Sequence, residues 1–150
     1  MLVAFFASAG VHVTKEPIRL FRSDGKRPDG LTLVPWQSGK SLCWDVTVSC
    51  PLAESYVTEA AREAGAAAEL AATRKELKYA GIVGRHMFEP IAVETLGLFN
   101  ASAIRLLNDL GRRISLISGD TRETSHFVSA SFGAGTAFQC CSATRQPAGH

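Results

Sequence analysis

"RPDGLTLVPWQSGKSLCWDVTV", residues 27–48, decides the fold. Two apolar stretches, "LTLVPW" (31–36) and "SLCWDVTVSC" (41–50), flank "QSGK" (37–40), a short glycine-bearing spacer that predicts a hairpin. Strict alternation in the second stretch sets Leu42, Trp44, Val46 and Val48 on one face of a strand and Cys43, Asp45, Thr47 and Ser49 on the other. Two acids stand out against this pattern. Asp45 lies inside the most apolar strand of the chain, and Asp29, between a proline and a glycine, heads the strand before it.

Upstream, "VHVTKEPIRLF" (11–21) predicts a further strand interrupted at Pro17, and "RSDGKRPDG" (22–30) carries turn chemistry. "MLVAFFASAG" (1–10) lacks the basic start of a signal peptide and predicts a core helix. Downstream, residues 54–80 are rich in Ala, Glu, Lys and Arg, which predicts one long helix that starts after Pro51 and ends at the glycines of "AGIVG". "HMFEPIAVETL" (86–96) predicts a fourth strand. "NASAIRLLNDLGRRISLISG" (100–119) predicts an amphipathic helix capped by Asn100 and stopped by Gly119, with a stripe of Ile104, Leu107, Leu110, Ile114 and Ile117.

The order α-β-β-β-α-β-α describes an α/β domain with a mixed four-stranded sheet and flanking helices. The hairpins make antiparallel neighbours, and the long helix is the crossover to the fourth strand. At 150 residues, 46% hydrophobic and 20% charged, the chain fits one globular domain. No apolar run approaches the roughly 20 residues that span a bilayer. The net charge of +2 is too small to mark a nucleic-acid binder by itself, so DNA contact must come from local clusters such as Lys26-Arg27, Arg74-Lys75 with Lys78, and Arg112-Arg113. The four cysteines, Cys43, Cys50, Cys140 and Cys141, fit no zinc spacing and read as reduced thiols of an intracellular chain.

Asp29 and Asp45 have fifteen residues between them, room for one strand, a turn and half a strand. Paired strands lie about 4.8 Å apart, so the two carboxylates can converge. Like charges that close repel unless a cation sits with them, and Mg²⁺ is held by one or two carboxylates with water and phosphate completing its shell.

"DGKRPDG" (24–30), "LCWDVTV" (42–48), "RKELKYA" (74–80) and "PIAVETLG" (90–97) together resemble the restriction-like endonuclease domain of site-specific non-LTR retrotransposons, a branch of the PD-(D/E)XK nuclease superfamily. The resemblance runs over residues 10–125. It implies Asp29 and Asp45 as catalytic metal ligands for Mg²⁺ or Mn²⁺, with Glu16 as a further ligand. The superfamily's lysine two residues after the second acid is Thr47 here. The resemblance instead implies a lysine from the following helix, Lys75 or Lys78, which share one helix face. Arg27 and Arg74 would contact DNA. The implied protein nicks a DNA backbone for retrotransposon integration, works in the nucleus, crosses no membrane, and meets RNA through the full-length element.

The alternative is a catalytically silent remnant or a non-enzymatic DNA-contacting fragment. No polymerase motif or zinc knuckle is present, so the resemblance implies a domain over residues 1–125 truncated at its N-terminus. Where the family continues with an amphipathic segment, this chain reads "FVSASFGAGTAFQCC" (127–141), which predicts a reading-frame shift near His126 and an out-of-frame tail over 126–150.

Overall fold

The structure is a computed structural model, and it describes residues 2–20 and 24–120. It is an α/β fold with a four-stranded mixed sheet in the order β1-β2-β3-β4. In chain order the elements are α1 (Leu2–Ser8), β1 (Val13–Lys15), β2 (Gly30–Thr32), β3 (Leu42–Ser49), α2 (Val57–Ala60), α3 (Ala66–Lys78), β4 (Met87–Glu94) and α4 (Ala101–Ser118). β1, β2 and β3 are antiparallel neighbours, and β3 runs parallel to β4 over the whole of both strands. The antiparallel hairpins and the helical crossover are those the sequence predicts. The expected out-of-frame tail lies outside the described residues.

Three elements differ from expectation. The first strand is only Val13–Lys15, because Glu16 turns to a φ of 44° and Pro17 brings no N–H to a ladder. β2 is likewise three residues long. Beyond it the Thr32 hydroxyl takes over from the backbone, accepting the Leu42 N–H at 2.9 Å and donating to the Val34 carbonyl at 2.8 Å. The chain then closes the expected turn at 37–40, with Ser38 and Gly39 at φ 52° and 71°, the left-handed pair a tight hairpin needs.

The predicted long helix is two helices. Gly65, at φ 86° in the left-handed region, interrupts the alanine-rich stretch immediately before α3. α3 packs closely there: Ala68, Ala71 and Ala72 meet Ala92 of β4, with Tyr56 against the cluster. The buried Glu94 carboxylate receives the Ala68 N–H at 3.3 Å and ties the start of α3 to the end of β4.

On the opposite face of the sheet, Leu42, Trp44 and Ile91 pack with Phe6 of α1 and with Ala103, Leu106, Leu107, Leu110 and Ile114 of α4. The α4 stripe is therefore rotated from the predicted one: Leu107, Leu110 and Ile114 are inside, while Ile104 and Ile117 are 39% and 63% exposed. Asn100 does precede α4, but its side chain is spent elsewhere. It accepts the Ala92 N–H at 2.8 Å and donates to the Pro90 carbonyl at 3.0 Å, bolting the helix start to the outer edge of β4. Glu69 of α3 accepts the Ala101 N–H in its stead. Gly119 ends α4 in the left-handed conformation, as expected.

Candidate functional site

The β2–β3 ladder stops before β3 does, and Asp29 sits at that stopping point. Its N–H donates to the Trp44 carbonyl at 3.0 Å, and its Oδ2 accepts the Val46 N–H at 2.6 Å. These two bonds bracket Asp45, so the backbone itself brings the two acids together. Gly30 makes the approach possible. A Cβ there would lie 2.1 Å from the indole of Trp44, so only glycine lets β2 pass over that ring.

Alternation sends Asp45 to the α3 side of the sheet, where it is 4% exposed. Asp45 and Pro90 are register partners, so the neighbouring strand offers that carboxylate no donor from the cyclic residue. The partner comes from α3: the Lys75 Nζ is 2.5 Å from Asp45 Oδ2. The contact is an ion pair of poor hydrogen-bond angle, since Oδ2 accepts no well-formed hydrogen bond. Burial raises the Asp45 pKa above the ordinary carboxylate range; the close Lys75 ammonium, by its contact and its charge, opposes this without overcoming it, and the charge of Asp29 adds to the rise.

Lys78 lies one turn further along α3, half-buried, with its ammonium 4.9 Å from the ring centroid of Tyr79. Burial lowers its pKa first and the like charge of Lys75 second, with Asp45 pulling the other way and Lys26 adding to the fall. Lys26, in the loop before β2, belongs to the basic cluster the sequence marks for DNA contact, and its place beside Lys78 is what spacing did not show. It stands in "DGKRPD", three residues ahead of Asp29. The thiol of Cys43, on the same face of β3, is pushed up to about 12 by burial and then by Asp45 and Asp29, which makes it an inert wall. Cys43 and Cys50 are both buried.

Asp29, Asp45, Lys75 and Lys78 therefore stand together. Glu16 and Arg27 stand beside them and are engaged with each other, Arg27 Nη2 lying 3.2 Å from Glu16 Oε2. Glu16 is joined to Asp29 through the backbone, its N–H donating to the Asp29 carbonyl at 2.8 Å. Arg27 also lines a groove of about 590 Å³ with Lys15, Ile18, Leu31 and Leu33. Arg74 sits with its guanidinium 4.8 Å from the ring centroid of Tyr56 and remains exposed.

No protein-family model matches this chain, and no curated protein matches it. Among the described residues no group of three or more His, Cys, Asp or Glu side chains is placed to hold a metal ion. The pair Asp29 and Asp45 still suits a hard divalent cation. Both donors are carboxylates, the Asp45 oxygen is buried without a well-formed hydrogen bond, and Mg²⁺ accepts one or two protein carboxylates. Among the described residues, no helix is long and apolar enough to cross a membrane.

Proposed function

We propose that this chain is a divalent-metal-dependent DNA endonuclease domain of the PD-(D/E)XK kind that nicks target DNA for retrotransposon integration. One observation carries the reading: Asp29, at the end of the β2–β3 ladder, stands beside the buried Asp45 carboxylate, which a lysine from the crossover helix meets. Asp29 and Asp45 would hold Mg²⁺ or Mn²⁺, with Glu16 a further ligand only once released from Arg27. When bound, the ion polarises a phosphodiester and makes a water more acidic.

The chain's own residues supply the rest. Lys75 and Lys78, one helical turn apart on the same face, neutralise charge that grows on the phosphate oxygens and orient the attacking water. Removing one such donor typically slows a reaction about 10²–10³-fold. Water oxygen bonds to phosphorus as the bond to the 3′ oxygen breaks, and the proton taken up there leaves a 3′-hydroxyl and a 5′-phosphate. Arg27, Arg74 and Lys26 would contact neighbouring backbone phosphates, which makes binding salt-dependent. In this reading the protein acts in the nucleus, and RNA is met through the full-length element.

The test is plasmid nicking with Mg²⁺ or Mn²⁺. Wild type is expected to nick and Asp45→Ala to fall to background; equal nicking by both rejects the assignment. A second reading, a catalytically silent DNA-contacting remnant, draws on the ion pair that already occupies Asp45. It predicts a salt-dependent gel shift with DNA and no nicking by either protein.

A further inference from the structure

The two acids differ in what already holds them. Asp29 spends Oδ2 on the Val46 N–H, a fixed backbone donor. Among the described residues Asp45 Oδ2 has only the Lys75 ammonium, at 2.5 Å. The partners also differ in freedom. Asp45 sits in the middle of β3 and cannot leave the interior, whereas the Lys75 side chain is 23% exposed and reaches water along a flexible stem.

We propose that Lys75 is the cation Asp45 keeps when no metal is bound, and that a divalent ion binds by taking Asp45 Oδ2 from it. Lys75 thereby sets the metal affinity of the site and is freed toward the phosphate only in the loaded state. The inference rests on the reading of Asp29 and Asp45 as the metal pair. It assigns the two lysines different work: Lys75 trades places with the ion, and Lys78, one turn away over Tyr79, stays a fixed positive charge.

Competition of this kind has a sign that plain structural support lacks. Taking the charge off position 75 leaves two carboxylates facing each other, so a divalent ion gains where a structural salt bridge would only be lost. The experiment is calorimetric titration of Mn²⁺, without DNA, into wild type, Lys75→Met, Lys75→Arg and Lys78→Met. The thermal shift given by Mn²⁺ to Lys75→Gln serves as a second readout should the Met variant fold poorly.

Lys75→Met is expected to bind Mn²⁺ about tenfold or more tightly than wild type, and Lys75→Gln to show the larger thermal shift. Lys75→Arg should remain near wild type, and Lys78→Met should move clearly less than Lys75→Met. Equal affinity in wild type and Lys75→Met, or equal tightening by Lys78→Met, overturns the proposal. No Mn²⁺ binding by any variant overturns it together with the metal pair. Tightening by Lys75→Met in a protein that never nicks DNA upholds the proposal and rejects the nuclease reading alone.

Discussion

The two faces of the one sheet are built on opposite plans. Toward α1 and α4 the side chains are large and interlocked: Trp44 stacks on Phe6 with centroids 4.5 Å apart, and Leu106, Leu107, Leu110 and Ile114 close over them. Toward α3 a smaller apolar cluster of Cys43, Tyr79, Ile82 and Phe88 gives way to contacts that are small or charged: alanine against alanine, Glu94 on the start of the helix, and Asp45 on Lys75. A buried large side chain adds several kcal/mol, whereas a buried carboxylate costs unless something offsets it. The first face holds the fold together, so the second is free to carry groups that the fold itself would be better off without.

That contrast can be broken from either side. The largest effect is expected from Trp44→Ala, which empties the centre of the apolar face and should cost about 3–5 kcal/mol in denaturant melts, a large share of a total near 5–15 kcal/mol. An unchanged midpoint would mean the apolar face is not where stability resides.

Asp45→Asn tests the other face and has a pH signature. A carboxyl whose pKa is higher folded than unfolded costs stability while ionised, and the cost is relieved as pH falls through the folded value toward the ordinary one near ~3.9. Asparagine does not titrate, and Lys75 left behind can turn to water. The variant should therefore match or exceed wild type by up to about 1 kcal/mol at pH 8, with the difference shrinking in mild acid, although nicking is lost. Melts at pH 8 and pH 5 check this; a variant clearly weaker at pH 8 would show that the ion pair outweighs burial.

The smallest expected effect is at the rim of the apolar face. Arg113 lies with its guanidinium 3.8 Å from the ring centroid of Trp36, which in turn meets Phe6 edge-on at 5.6 Å. Arg113→Ala should cost about 0.5–1 kcal/mol and Arg112→Ala, whose side chain is largely exposed, distinctly less; equal losses in thermal melts would remove the stacking contact as the cause.

What the sequence discloses follows the range of the interactions concerned. Alternation over 42–49 and the Ser38-Gly39 turn are local, and both are legible. So is Asn100 as a residue that begins a helix, yet its side chain bonds β4, which no local pattern shows. The break at Gly65 is hidden because alanine's helix preference extends across it, and what fixes the break is Glu94, 26 residues from its partner Ala68. At the site, type and spacing single out Asp29 and Asp45, and the family resemblance adds Lys75 and Lys78. Which lysine touches Asp45 depends on how α3 lies on the sheet, and spacing alone leaves that open. Val46 and Val48 have the parity of Trp44 but are 40% and 42% exposed, because the helices opposite cover only the first half of β3.

Gly30 has a consequence that reaches from one face to the other. Its bare Cα rests against the indole of Trp44 as a workpiece rests against a machinist's stop, and Asp29 is the next residue in the chain. The acid's position is thus gauged from a ring in the apolar interior. Alterations beneath the sheet would be transmitted as displacement above it, so a core variant that still folds can misplace Asp29 without touching a single polar group.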